Sequence, residues 1–196
     1  MFFIAGGMLL LSVITFIYLK YRIKLRNTTT LVCILFMTLV LAGVVFYNII
    51  GENDSLYIAK VFWSMYLLFL LTFHDLDEKL LPRRILSFAI AISIILICFE
   101  PQNRIAELIL TGIVAAVLLS LTSYVSKGGI GMGDAIVFLF LGFMQGAEKT
   151  ILILLVTIFI TGVIGIVLFG IKKANRKMEL PFVPFVLLAF VITEFL

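Results

Sequence analysis

Four carboxylates stand in two short polar segments of an otherwise apolar chain. The first segment reads His74, Asp75, Leu76, Asp77, Glu78, Lys79, Leu80, Leu81, Pro82, Arg83, Arg84. The second reads Lys127, Gly128, Gly129, Ile130, Gly131, Met132, Gly133, Asp134. Two aspartates brought within hydrogen-bonding reach cannot both ionise cheaply, so they share one proton and titrate in coupled steps. The charged member then takes a proton from water while the neutral member donates one to a carbonyl oxygen, which is the division of labour in aspartic proteolysis. That chemistry requires neither a nucleophilic Ser or Cys nor a metal. Asp134 falls at the first turn of a predicted helix, whose dipole favours its anion. The preceding glycines would let backbone approach a substrate strand and adopt positive φ. Plainer readings stand beside this one. Asp75, Asp77 and Glu78 could be a solvated loop balancing Lys79, Arg83 and Arg84, and Gly131 to Asp134 a turn with a helix cap.

The elements that must position these groups are membrane helices. The chain has 196 residues, 63% of them hydrophobic and 13% charged, with a mean hydropathy of +1.26. A soluble domain of this size cannot cover so much apolar surface. Apolar runs at roughly 2–19, 30–50, 56–74, 85–99, 105–125, 135–147, 150–171 and 181–196 predict an all-α, polytopic bundle of about eight transmembrane helices. The domain reading is one transmembrane domain over 1–196, with two N-terminal helices in 1–55 and a core in 56–196. The first run has no basic residue before it and no small-residue cleavage site after it, so it is read as a retained helix rather than a signal peptide.

An N-out, C-out arrangement puts 12 of the 15 Lys and Arg residues in cytoplasmic connections, leaving Lys60, Arg104 and Lys149 outside. The net charge of +4 thus reports topology rather than a nucleic-acid partner. Under this topology Asp75 and Asp134 share a depth at the cytoplasmic edge, where an ionisable residue is a functional candidate by default. Runs 85–99 and 135–147 are shorter than the ~20 residues of a straight crossing and follow the two polar segments directly. The segments are therefore expected to dip below the membrane surface, lining a cavity or buried in protein.

Two cysteines are too few for a disulfide scaffold or a four-ligand zinc site. Cys33 and Cys98 read as buried small hydrophobes. His74 reads as a polar anchor at a span's end, and Trp63 with the tyrosines at 18, 21, 47, 57, 66 and 124 as interfacial anchors.

The string GMGD at 131–134 resembles the GxGD signature of membrane aspartic proteases, and DLDEKLLP at 75–82 resembles the first-aspartate motif of type IV prepilin peptidases. Gly142 and Gly146 follow at the spacing of that family's short helix. Leu180, Pro181, Phe182, Val183, Pro184, Phe185 is similar to its LPFGPF segment. The resemblance covers roughly residues 56–196. It implies that Asp134 is the second catalytic aspartate and that the first is Asp75, seven residues before Pro82, with Asp77 as alternative or supporting acid. Gly131, Gly133, Pro82, Pro181 and Pro184 would support the motif, Pro82 by breaking the helix after the site, Pro181 and Pro184 by shaping the cavity. The implied activity is an aspartic endopeptidase without cofactor or metal, in the cell inner membrane. It would cleave the basic leader of pilin-like precursors at the cytoplasmic face, beside their apolar N-terminal helix.

The chain departs from the family at three places. About ten residues join the first two spans where larger bacterial members carry two Cys-x-x-Cys pairs, so neither N-methyltransferase activity nor zinc is expected. Ile136 stands where a Lys is usual two residues after the GxGD aspartate. Val183 and Arg83 replace a usual Gly and a usual Asn or Asp. Two other readings share the aspartates: a GxGD protease acting on other membrane or signal peptides, and a noncatalytic ion-coupled carrier. The Tyr-Asp and Pro-Ala-Leu motifs of the signal-peptide-peptidase relatives are absent.

Overall fold

A computed structural model describes residues 27–51, 54–77, 81–125, 131–170 and 181–196. The predicted span at 2–19, Tyr18, Tyr21, Glu78, Lys79, residues 127–130 and the basic cluster from Lys172 to Lys177 lie outside them, as do the surroundings of Cys33. The described residues form seven helices and no strand: α1 (Asn27–Ile50), α2 (Ser55–Asp77), α3 (Arg83–Ile97), α4 (Gln102–Val125), α5 (Met132–Gln145), α6 (Ala147–Gly170) and α7 (Val183–Glu194). Three stretches, Ser55–Asp77, Gln102–Val125 and Ala147–Leu168, are long and apolar enough to cross a membrane. The helices α3, α5 and α7 have only 15, 14 and 12 residues.

Several ends differ from the apolar runs for local reasons. The helix α2 continues past residue 74 through Asp77 because no Gly or Pro interrupts it until Pro82. Pro82 stands at the start of the next helix. It is the cap that starts α3, with φ −68° and ψ 119°, where a missing N–H costs nothing. At the other end of α5, Gly146 has φ +79°, a left-handed conformation that glycine adopts without steric cost, and it turns the chain directly into α6.

The chain divides into two compact units, Met1–Asn53 and Asp54–Leu196. In the first, α1 buries Leu41, Val44, Val45 and Asn48, whose Nδ2 donates to the Val44 carbonyl at 2.9 Å. In the second, α5 lies at the centre, against α4, α3, α2 and α6, while α7 packs on α2 and α6. Phe138, Phe140, Leu67, Leu68, Leu71 and Phe190 fill this core. Outward faces of α4 and α6 remain apolar, with Leu118, Leu121, Leu155 and Phe159 exposed. Such surfaces suit lipid rather than water.

Cys98 corrects one expectation, since it is exposed at the C-terminal cap of α3. Its neighbours Ile95 and Phe99 are also exposed, while Ile97 between them turns into the core. Tyr57 and Tyr66 correct another. Tyr57 is half-buried and donates to Glu194 at 2.9 Å. Tyr66 lies mid-helix, its ring stacked near Phe62 with centroids 6.5 Å apart.

The contact between α4 and α5 depends on two glycines. A Cβ on Gly142 would lie 2.5 Å from the Gly112 Cα, and one on Gly112 would lie 2.6 Å from the Leu139 carbonyl oxygen. Backbone meets backbone there, the close approach that small residues permit between membrane helices. Gly142→Ala is accordingly expected to destabilise the fold by about 1–3 kcal/mol through overpacking. Thermal unfolding of the detergent-solubilised protein would register this as a lowered midpoint, and an unchanged midpoint would refute it.

Candidate active site

Asp75 occupies the last turn of α2 and Asp134 the first turn of α5. Helix periodicity decides which acidic residue of the first segment turns inward. Asp75 and Asp77 are two positions apart, or about 200° around the helix. Asp75 is only 6% exposed, whereas Asp77 is exposed. Asp134 is likewise buried, at 8% exposure, and it interacts electrostatically with Asp75. The two carboxylates predicted from separate polar segments are therefore both buried and near enough to interact by charge, with Asp77 on another face.

Each carboxylate is held by the start of a helix. The Val183 N–H, at the first turn of α7, donates to Asp75 Oδ2 at 2.9 Å, and the adjacent Phe182 N–H is also directed at that carboxylate. These are backbone donors that a helix leaves unpaired at its N-terminus, where the dipole favours a negative charge. Pro184 lacks an N–H, and the Phe185 N–H already bonds the Phe182 carbonyl, so the free donors are concentrated beside Asp75. Pro184 lies in the first turn of this helix and Pro181 just before it. Asp134 Oδ2 accepts from the Gly131 N–H at 3.1 Å, half of a capping box at the head of α5.

Glycines 131 and 133 serve sterics rather than unusual dihedrals. Gly131 has φ −70° and Gly133 is helical, so neither adopts the positive φ expected from sequence. A Cβ on Gly133 would lie 2.8 Å from Leu81 Cδ1, so Gly133 admits the Leu81 side chain beside Asp134. Leu81, just before α3, thus packs on the head of α5. Ile136 is half-buried in α5. His74 is buried at 3% exposure, which differs from the interfacial anchor expected at a span's end. Leu76 and Met132, chain neighbours of the two aspartates, are exposed at 57% and 66%.

Sequence reasoning did not find the Val183 amide, because a backbone donor carries no residue signature. The usable signal was the pair of prolines bracketing a helix start. It also did not find Gly112, whose role exists only through its contact with Gly142.

Two aspartates, buried together and cradled by helix N-termini at the end of a bundle with lipid-suited faces, are the parts a membrane aspartic protease needs. The profile of the type IV leader peptidase family matches residues 62–166, a segment that includes Asp75, Pro82, the GMGD string, Gly142 and Gly146 and stops before Pro181. No curated protein and no solved structure matches the chain. With more than half of its length matched, including both polar segments, the chain belongs to the type IV leader peptidase family.

Proposed function

We propose that the protein is an aspartic endopeptidase that removes the basic leader from pilin-like precursors, with Asp75 and Asp134 as its catalytic residues. Family membership makes the chain a membrane-embedded protease. The observation that carries the finer reading is the burial of Asp75 beside Asp134, each accepting backbone N–H donors from a helix start. In this reading the negative charge rests on Asp75, which accepts the Val183 N–H, and the shared proton on Asp134. Asp75 then takes a proton from the attacking water as the oxygen bonds to the scissile carbonyl carbon. Asp134 gives its proton to the carbonyl oxygen. In the collapse of the resulting diol, Asp134 recovers a proton from a hydroxyl, the C–N bond breaks, and the amine leaves with the proton held on Asp75. Val183 and Gly131 hold the two carboxylates in place, and no covalent intermediate forms.

The topology belongs to the same proposal: eight spans, N-out and C-out, in the cell inner membrane, with the aspartates at the cytoplasmic face. Twelve of the 15 basic residues then lie on that side. A precursor that leaves its leader in the cytoplasm and its apolar helix in the bilayer presents its cleavage point at that depth. Asp77, exposed near the pair, would help attract a basic leader, without methylation of the new N-terminus.

Because the active pair needs one proton between two acids, kcat/KM of the reconstituted enzyme is expected to follow a bell. The rate rises with pH as the pair loses its first proton and falls as it loses the second. A single rising limb that stays level at high pH would reject shared-proton catalysis. The direct test is cleavage of a pilin-like precursor by the purified protein and its aspartate variants; proton-coupled flux without proteolysis would favour a carrier instead.

A further inference from the structure

The helix α7 supplies the Val183 N–H to Asp75 but is apolar on nearly every side, reading Val183, Pro184, Phe185, Val186, Leu187, Leu188, Ala189, Phe190, Val191, Ile192, Thr193, Glu194. A helix with no polar stripe has little in its apolar surface to fix its rotation or axial position between protein and lipid. Slipping by one turn, about 5.4 Å, would preserve much apolar contact while removing Val183 from Asp75. The charged residue in this sequence is Glu194, in the last turn, and its side chain is 0% exposed. Glu194 Oε2 accepts from the Tyr57 hydroxyl at 2.9 Å, and Oε1 pairs with Lys149 Nζ at 3.0 Å. Lys149 also lies over the Tyr57 ring, 4.8 Å from its centroid, and donates to the Tyr57 hydroxyl.

These contacts complete a pattern. Tyr57 is in the first turn of α2 and Asp75 in its last, while Val183 opens α7 and Glu194 closes it. The two helices run antiparallel and are joined at both ends, Asp75 to Val183 and Tyr57 to Glu194, and Lys149 adds α6 to the second joint. A buried charge is expensive unless fully paired, and its best-attested use is to specify register. We propose that Glu194 is a positioning residue that locks the axial register of α7 against α2 and α6, holding the Val183 N–H on Asp75 from the opposite end of the bundle. Its consequence for turnover rests on the catalytic role proposed for Asp75.

The test uses the full chain in lipid nanodiscs with 15N-valine labelling. The Val183 N–H lies before the first helical hydrogen bond of α7, so its protection reports the Asp75 contact rather than helix stability. Glu194→Ala is expected to speed hydrogen exchange at Val183 about tenfold or more, the scale of losing a hydrogen bond to a charged group. Kcat for a pilin-like precursor should fall in parallel while KM holds. Glu194→Gln keeps an acceptor for Tyr57 and should recover part of both effects; Tyr57→Phe should give a smaller increase in exchange. Lys60→Met combined with Glu100→Met alters the same end of the bundle without touching α7 and should leave Val183 exchange unchanged. Wild-type exchange at Val183 in Glu194→Ala, or in both milder variants if that one does not fold, overturns the lock. Faster exchange with unchanged kcat leaves the lock standing and removes the catalytic assignment of Asp75, so the two failures are distinguishable.

Discussion

Asp134→Asn is expected to abolish precursor cleavage, with turnover falling by about 10³-fold or more, the scale of losing a positioned acid or base. Asn has nearly the same shape, and its carbonyl oxygen can still accept the Gly131 N–H that Asp134 Oδ2 accepts at 3.1 Å, so the head of α5 should remain intact. What is lost is the proton the pair must share. Asp75→Asn should be equally damaging for the same reason, since an amide can accept from Val183 but cannot take a proton from water. Asp77→Asn should retain activity within about twofold, because Asp77 is exposed and its loss removes only a solvent-screened attraction for the leader. The comparison is decisive because Asp75 and Asp77 differ in burial, not in chemistry. A precursor-cleavage assay in which Asp75→Asn remains fully active and Asp77→Asn does not would overturn the assignment.

The largest expected effect on stability lies at the other end of α2. Lys60 and Glu100 form an ion pair whose side chains are only 4% and 6% exposed. Lys60→Met leaves the Glu100 carboxylate buried without its partner. Breaking a buried pair in this way costs about 3–5 kcal/mol, because an uncompensated charge stays out of water. Replacing both residues by Met removes that charge as well as the attraction, so the double variant should recover most of the loss. Unfolding midpoints of the two single variants and the double variant form a thermodynamic cycle. If the double variant loses as much as the two singles summed, the pair is uncoupled and this account of the α2 start is wrong. The joint is distinct from the Glu194 cluster, which shares the same end of α2 but ties in α7.

Much of the architecture could be read from composition, because apolar runs bounded by charge encode helices wherever the solvent is lipid. Each helix among the described residues corresponds to a predicted run, with ends displaced by at most three residues. The starts of α3 and α5 are set by caps at Pro82 and Gly131, which averages over apolar windows do not register. The candidate site was legible in the types and order of its motifs: Asp75, Pro82, Gly131, Gly133 and Asp134 could be singled out before any fold was known.

Which of Asp75 and Asp77 turns inward was not legible, because both satisfy the motif's chemistry and their difference depends on which face of α2 packs against the bundle. Gly133 was expected for its backbone freedom, yet its place is set by Leu81, a residue far from it in the chain that no local pattern relates to it. Tyr57 looked like a membrane anchor, since nothing local relates it to Glu194, 137 positions away. The sequence by itself determined the solvent, the helices and the chemical candidates, for these depend on residue type and short-range periodicity. The tertiary structure alone decided the pairing of Asp75 with Asp134, the backbone amides that hold them and the buried contact that closes α7. Those depend on which faces meet across long stretches of chain.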